Sequence, residues 1–554
     1  MSQSLVNQRR IKKVIAFAAA LVCAASLVAC SSDAETNDPR QPAGPPKPGT
    51  LRVLAGSELA DMQPILEEAA KATGVEVKFT FTGTLEGAEA LANGSADGKY
   101  DAVWFSSNRY PQGIPEAAKR LGNQAKIMSS PVVLGLSASA AQRLGWDSKP
   151  VGWGEIAAEA GKKSFSYGMT DPSSSNSGFS ALVGVASALA GSGSAINAEQ
   201  IAAVTPALTQ FFSAQQLSAG SSGWLSDAYQ RRATGQDPGQ KVDGLINYES
   251  VLLSMNASGK LPEPLKLVYP SDGVVTADYP LTLLTAANED ARSAHQRLSE
   301  YLRTPDVQRK IMETTQRRPV VPGVDLGAQF AQRDLIELPF PATQQAVDGL
   351  LAAYFDKIRR PSRTLYVLDT SGSMAGDRME SLRSALVGLT GADDSLTGRF
   401  RQFRSREEIT LLPFSSAPLP AQTFTVPEAD PKPVLAKVKA VAEGLRASGG
   451  TAIYDSLARG YQVMNDLVAK DPDRFNSIVL MTDGENANGS DFSAFERRFP
   501  TLPALAKQIP VFTVLFGEGS SDELNKVATM TGGRVFDARG TALSEVFQEI
   551  RGYQ

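Results

Sequence analysis

The stretch LYVLDTSGSM, residues 365–374, joins an apolar run to a cluster of oxygen-bearing side chains. Its first four residues carry no charge, as is typical of a strand buried on both faces of a parallel sheet. The residues that follow place one carboxylate, Asp369, and two hydroxyls, Ser371 and Ser373, at alternate positions of a turn. Oxygen ligands without nitrogen or sulfur suit Mg²⁺, Mn²⁺ or Ca²⁺ rather than zinc. The stretch therefore predicts a buried strand that ends in a cation-binding turn.

Two later loops carry the same kind of side chain at corresponding places. Thr451 stands in the tight turn GGT, residues 449–451, just before a helical pattern, and Asp483 follows the apolar strand 477–481. The carboxyl ends of parallel strands meet at one edge of a sheet, which is the usual place for a ligand. We therefore expect the three loops to converge on a single cation.

Together the three loops resemble the von Willebrand factor A (VWA) domain and its metal-ion-dependent adhesion site. The resemblance implies a doubly wound, Rossmann-like α/β fold for residues 364–554 and a bound Mg²⁺, with Mn²⁺ or Ca²⁺ as alternatives. It also implies that the hydroxyls coordinate directly, that the carboxylates act largely through water, and that a carboxylate of a protein or surface partner fills the open position. The residues implied to hold the metal are Asp369, Ser371, Ser373, Thr451 and Asp483.

The region 50–345 alternates strands with helices, which predicts parallel sheet covered by helices. Its predicted strand ends are small, hydroxyl-rich and uncharged, and a Ser/Gly-rich turn at 171–178 precedes an apolar helical segment. Such a turn suits either an anion at a helix N-terminus or simple N-capping.

This order of elements resembles two-lobed periplasmic solute-binding proteins. The resemblance implies two α/β lobes joined by crossing strands, near 129–135 and 268–285, that close on a ligand. The turns suit a small oxyanion, but Trp104, Tyr248 and Trp153 equally suit stacking on a sugar, and the lobes could instead serve as a protein scaffold. The candidate ligand-binding residues are Ser57, Thr82, Thr84, Ser106, Ser107, Ser130, Ser175, Ser177, Gly178, Tyr248 and Glu249.

The first thirty residues have the pattern of an export signal. Four basic residues at 9–13 precede the uncharged apolar run 14–29, which is short for a membrane span. The sequence LVAC, residues 27–30, resembles a bacterial lipobox, which implies cleavage before Cys30 and lipidation of its thiol. We expect a signal peptide at 1–29 and a flexible tether at 30–49. A plain cleaved signal or twin-arginine export is the alternative.

These boundaries divide the chain into a solute-binding-protein-like domain at 50–345, a linker helix at 346–363 and a VWA domain at 364–554. The expected location is the cell envelope, outside the cytoplasmic membrane and held there by a lipid anchor. The leading interpretation is metal-dependent binding of a protein or surface. The alternative is the receptor of an ABC-type importer, for an oxyanion or a sugar, with an accessory VWA domain.

Composition argues against other classes of function. The net charge is −4, from 55 basic and 59 acidic residues, and no long basic run is present, so nucleic-acid binding is not expected. The chain has one histidine, His295, and two cysteines, which nearly excludes a His/Cys zinc site. His295 lies in a charged helical stretch and is expected at the surface, so we do not expect an enzyme.

Overall fold

The computed structural model describes residues 49–332, 334–517 and 521–553. All of these belong to one unit, residues 47–554. The predicted signal peptide, Cys30 and nearly all of the tether lie outside the described residues. Within the described ranges, no helix is both long and apolar enough to cross a membrane.

The first segment builds most of one α/β lobe. β1 pairs in parallel with β2 and β3, because the helices between these strands return the chain to the edge of the sheet where each strand begins. Gly74, with φ of 71°, ends the first long helix in the left-handed conformation that glycine tolerates. The elements are β1 (Gly49–Ala55), α1 (Gln63–Thr73), β2 (Val75–Phe81), α2 (Thr84–Ala92), β3 (Ala102–Trp104), α3 (Arg109–Gln112), α4 (Pro115–Ala118) and β4 (Leu121–Lys126).

The second segment builds the other lobe around a six-stranded sheet. Its elements are β5 (Ser130–Ser137), α5 (Ala138–Leu144), α6 (Trp153–Gly161), β6 (Tyr167–Thr170), α7 (Asn176–Ala190), α8 (Ala198–Phe212), β7 (Gln215–Ala219), α9 (Ser222–Thr234), β8 (Gly244–Tyr248), α10 (Glu249–Ala257), β9 (Leu265–Val268) and β10 (Thr276–Ala277). The strand order is β10-β5-β8-β6-β7, and β9 also pairs with β5. Every residue of β5 is buried, so this strand lies in the middle of the lobe.

The chain then returns to the first lobe with β11 (Pro280–Leu284), α11 (Glu289–Leu302) and α12 (Pro305–Thr315). The first sheet therefore has the order β2-β1-β3-β11-β4. The lobes are joined between β4 and β5 and between β10 and β11, close to the expected crossings. Tyr279, at the second crossing, has a positive φ of 39° and is held by its N–H bond to the carbonyl of Ser106.

The helix that the sequence places in a linker is part of the protein core. α13 (Gln344–Ala353) continues through a wider helical segment, Tyr354–Ile358. Tyr354 is buried, and its ring lies 5.1 Å from that of Phe212 of the second lobe, centroid to centroid. The two globular parts are therefore connected by a packed helix.

The C-terminal part has the doubly wound α/β fold that the sequence predicts. Its six-stranded sheet has the order β14-β13-β12-β15-β16-β17, and only β14 is antiparallel. All eight residues of β12 are buried, as its apolar run indicates. The elements are β12 (Ser362–Asp369), α14 (Asp377–Val387), α15 (Gly398–Arg401), β13 (Glu408–Phe414), β14 (Gln422–Thr425), α16 (Lys432–Gly444), α17 (Ile453–Lys470), β15 (Phe475–Thr482), α18 (Phe492–Arg498), α19 (Ala504–Lys507), β16 (Val511–Leu515), α20 (Ser521–Thr531), β17 (Val535–Asp537) and α21 (Leu543–Arg551).

Candidate functional site

The first metal-type loop is held together by short hydrogen bonds. Asp369, the last residue of β12, accepts a bond from the amide of Ser371 at 2.8 Å and another from the hydroxyl of Thr482 at 2.6 Å. The hydroxyl oxygens of Ser371 and Ser373 are 3.0 Å apart. The Ser373 hydroxyl then donates to Asp483 Oδ1 at 2.8 Å. Four of the five predicted residues therefore form one continuous chain of polar contacts.

Thr451 lies at the same edge through backbone contacts. Its N–H donates to Asn488 Oδ1 at 3.1 Å, and its carbonyl accepts from two amides of the loop that follows Asp483. Asn486 accepts from the N–H of Ile453 at 2.8 Å, at the start of α17. The two asparagines that join these loops were not predicted, although their position just after the TDG sequence was a signal for them.

Arg378 is a third residue at this edge that was not predicted from the sequence. Its guanidinium, at the start of α14, donates to Asp483 Oδ2 at 2.6 Å, while the Asp483 side chain is fully buried. A positive charge of the protein therefore neutralises the acid of the third loop. Burial raises the pKa of Asp369, and the nearby negative charge of Asp483 raises it further.

The donor set at this edge fits a hard divalent cation. It consists of the hydroxyls of Ser371 and Ser373 and two buried carboxylates, and like charges this close are stabilised by a cation between them. Ser373 is exposed, so the edge is open to solvent on that side. Arg378 would have to share Asp483 with any bound ion.

A cavity of about 880 Å³ lies between the two lobes. Five of the predicted ligand-binding residues line it, namely Ser57, Thr82, Thr84, Ser106 and Ser175. The lobes touch beside the cavity, where a Cβ on Gly83 would lie 2.5 Å from the carbonyl oxygen of Ser174. The hydroxyl-rich turns of both lobes therefore meet at one place.

Tyr248 and Glu249 are among the predicted residues that do not line this cavity. We call the part of the lining formed by Ser57, Glu58, Ser106 and Ser175 the floor of the cavity. Tyr248 lies beneath it, where its hydroxyl donates to Ser106 Oγ at 2.9 Å and accepts from Asn176. Glu249 is fully buried and forms a two-bond ion pair with Arg318 at 2.7 Å. Both side chains therefore bond to residues of the first lobe and stabilise the junction between the two lobes.

The other predicted residues outside the cavity lining pack within the lobes. The Ser130 hydroxyl accepts from the amide of Ser250, and Ser107 Oγ accepts from the amide of Arg109. Ser177 shares hydrogen bonds with neighbouring hydroxyls, and a Cβ on Gly178 would come within 2.1 Å of the carbonyl oxygen of Thr170. Gly178 therefore permits close packing of α7.

The structure does not support the sugar-stacking alternative for two tryptophans, nor the surface position expected for His295. Trp104 and Trp153 are buried, and their indole N–H groups donate to the carbonyls of Tyr279 and Gly273, so neither ring lines the cavity. The surface position expected for His295 is wrong. Its ring is buried on the inner face of α11, 3.1 Å from the carbonyl of Leu281, and burial lowers its pKa.

The cavity is more acidic than its hydroxyl-rich turns suggested. Its lining includes the acids Glu58, Glu86, Glu89, Asp393, Glu545 and Glu549 and the bases Lys99, Arg401 and Arg534. Burial raises the pKa of Glu58, which lies on the floor beside Ser57. This excess of carboxylates disfavours a free oxyanion and favours a solute with hydrogen-bond donors.

Comparisons with known proteins find two family matches in the chain. Residues 51–314 match the family of bacterial extracellular solute-binding proteins, and residues 365–549 match the von Willebrand factor type A domain family. In curated relatives, the chain is 26% identical over 218 residues to inter-alpha-trypsin inhibitor heavy chain H4 of Bos taurus, covering 37% of this chain and 22% of that protein. It is 28% identical over 170 residues to the uncharacterized protein sll0103 of Synechocystis sp., covering 30% of this chain and 36% of that protein. The chain therefore spans only about a fifth to a third of these relatives.

Three solved structures are also similar. The periplasmic binding protein AfuA of Actinobacillus pleuropneumoniae, with bound fructose-6-phosphate, has a TM-score of 0.43 at 14% identity, covering 56% of this chain and 98% of that chain. The sulfate-binding protein SubI of Mycobacterium tuberculosis has a TM-score of 0.40 at 17% identity, and the match covers 54% of this chain and 98% of that chain. A von Willebrand factor type A structure from Catenulispora acidiphila has a TM-score of 0.29 at 19% identity, and the match covers 35% of this chain and 42% of that chain.

The chain therefore has two parts, one similar to bacterial extracellular solute-binding proteins and one similar to VWA domains. It carries a domain of the bacterial extracellular solute-binding family followed by a VWA domain, which confirms both resemblances. The first family indicates an extracytoplasmic protein. Neither family is defined by a catalytic activity.

Proposed function

We propose that this protein is an envelope lipoprotein that binds a protein or surface partner through a divalent cation in its VWA domain. The observation that supports the proposal is the unbroken chain of contacts from Asp369 through Ser371 and Ser373 to Asp483. Residues from two separate strand ends thereby supply hard oxygen ligands at one solvent-facing point. A bound Mg²⁺ supplies an electron-poor centre that a partner's carboxylate completes.

The position of this edge also suits a partner. The metal-type loops follow the carboxyl ends of β12 and β15, while Arg360, just before β12, bonds to the second lobe through Gln215 and Gln216. An eight-residue strand is roughly 25 Å long, so the metal-type loops and Arg360 lie at opposite ends of β12.

A pulldown from envelope extract in Mg²⁺ and in chelator tests the adhesion proposal. We expect a partner to be captured only with Mg²⁺, and the Asp369→Ala variant to capture none. Asp377→Ala, an exposed acid close to the same loop, is the matched control and should behave as the wild type. Equal capture in chelator would contradict the proposal.

We further propose that the lobed domain binds a small solute that offers hydroxyl or amino groups, such as a sugar. The support is the cavity between the lobes, with hydroxyls from both lobes and an excess of carboxylates. This same cavity favours the second candidate function, the receptor of an importer. Within that candidate, the acidic lining favours a sugar over an oxyanion.

Tryptophan fluorescence titration tests solute binding, because the half-buried Trp224 packs on Tyr553 of the cavity lining. We expect a saturable change with one member of a monosaccharide panel and none with sulfate or phosphate. A response to sulfate alone would refute the assignment of solute class. A response to no compound would favour lobes that act as a scaffold.

A further inference from the structure

The VWA domain contacts the second lobe through an apolar anchor, Trp224 and Tyr553. Their rings meet edge to face with centroids 4.9 Å apart, and Tyr553 is buried. Gly220 has no room for a side chain there, because a Cβ would lie 2.6 Å from the Tyr553 ring. A single hydrophobic cluster runs from the second lobe into the VWA sheet. Contacts of this kind exclude water and hold the two parts as one body.

The VWA domain contacts α2 of the first lobe through polar groups, although Phe400 also belongs to a hydrophobic cluster that includes residues of the first lobe. Arg401 forms an ion pair with Glu86, and the amide of Thr397 donates to Glu89 Oε2 at 3.0 Å. The two glutamates lie on α2, which begins at the cavity. We call these two contacts the latch. The Arg401 side chain is only 4% exposed, so loss of its glutamate partner leaves a buried guanidinium unpaired, and the latch therefore depends on both glutamates.

The VWA domain also forms part of the cavity itself. Ser544, Glu549 and Tyr553, together with Arg401 and Arg534, line it opposite the turns of the lobes. Arg534 and Glu549 pair with each other at 3.3 Å along this wall. A solute in the cavity therefore meets side chains from both lobes and from the VWA domain.

We propose that the VWA domain is the third and movable wall of the solute cavity. It stays anchored to the second lobe, and separation of the lobes breaks the latch to the first lobe and opens the way to the cavity floor. The solute is then a polar molecule with donor groups that bridges α2 and α21. This inference rests on the proposed binding of a solute between the lobes.

The test measures access to the floor with N-ethylmaleimide as the probe. Ser175→Cys in the full chain places a thiol on the floor, and the two native cysteines, both before residue 31, are separated from it by peptide mapping. In this background, Glu86→Gln with Glu89→Gln should raise the labelling rate of residue 175 at least about fivefold, because the buried Arg401 guanidinium loses its partner. Glu116→Gln, which removes an exposed ion pair with Lys119 elsewhere on the first lobe, should leave the rate unchanged.

Labelling of the latch variant at the wild-type rate would overturn the proposal. Hydrogen exchange provides a second measurement without the introduced cysteine. The latch variant should exchange faster over residues 393–401 while β15 keeps its protection, and unchanged exchange at 393–401 would also overturn the movable wall. Because neither measurement needs a solute, the outcome is independent of the fluorescence titration that tests solute binding itself.

Discussion

Arg401 of the VWA domain and Glu86 of the first lobe form an ion pair across the cavity, although they are 315 positions apart in the chain. The Arg401 side chain is 4% exposed and that of Glu86 is 38% exposed. The guanidinium holds the pKa of Glu86 at about 2, against an ordinary value of 4.5. The two parts of the protein are thus joined by a charge interaction that depends on an ionised carboxylate.

The pH dependence of stability follows from this depressed pKa. A carboxyl whose folded pKa is lowered stabilises the fold above its unfolded pKa and loses that contribution as the pH falls towards its folded pKa. The contribution of Glu86 should therefore be complete above pH 4.5 and disappear between pH 4.5 and about 2. Urea unfolding at pH 6, 4 and 3 should show that the difference in unfolding free energy between wild type and Glu86→Gln becomes smaller below pH 4.5. A difference that stays constant down to pH 3 would refute this account.

Divalent metal should raise the melting temperature of the protein. A ligand that binds only the native state stabilises it by mass action, and at ten times its Kd this amounts to about 1.4 kcal/mol, or roughly 3–5 °C. Scanning fluorimetry with millimolar Mg²⁺ against chelator measures the shift. Asp369→Ala should abolish it, and Asp377→Ala should keep it. The metal site would be disproved by an equal shift in the Asp369→Ala variant.

Removal of Arg378 should strengthen metal binding. Its guanidinium bonds to Asp483 and places a positive charge beside the proposed cation. Two like charges about 4 Å apart repel by about 1 kcal/mol in water, which corresponds to about a fivefold change in affinity. Mn²⁺ titration should therefore give a lower Kd for Arg378→Ala, whereas Arg459→Ala, an exposed arginine on α17, should match the wild type. A higher Kd for Arg378→Ala would contradict this prediction and show that the arginine favours metal binding.

Tyr553 should be essential to the anchor between the VWA domain and the second lobe. Its ring contacts Trp224, Phe512 and Phe536, so Tyr553→Ala should cost about 3 kcal/mol of unfolding free energy. Tyr553→Phe keeps the ring and should lose less than half of that. Denaturant unfolding measures both variants, and similar losses in the two would show that the hydroxyl, rather than ring packing, carries the anchor.

Lipidation at Cys30 remains a prediction from the lipobox alone. Two or more acyl chains anchor a protein stably to a membrane, whereas a protein without them is released. Cys30→Ala should therefore move the protein from the membrane fraction to the soluble fraction. Blotting of the two fractions measures this, and unchanged retention would show that the lipobox is not used.

Short stretches of sequence predicted where the oxygen-bearing side chains of the VWA domain come together. The run before Asp369 predicted the buried strand β12, and the loops of Thr451 and Asp483 predicted the same sheet edge. Strand ends in a parallel sheet converge whatever the distance between them in the chain, so this pattern can be read without a structure. The alternation of strands and helices likewise predicted the two α/β parts, in which the family matches to residues 51–314 and 365–549 lie.

Only the tertiary structure decided which surfaces meet. Glu249 is polar and follows a strand end, yet it faces Arg318 inside the protein, and His295 is buried in a helix whose sequence is mostly charged. The docking of Tyr553 on Trp224, and with it the third wall of the cavity, joins residues more than 300 positions apart. Periodicity shows which face of a helix is apolar but not which partner covers it, because that depends on the packing of the whole chain.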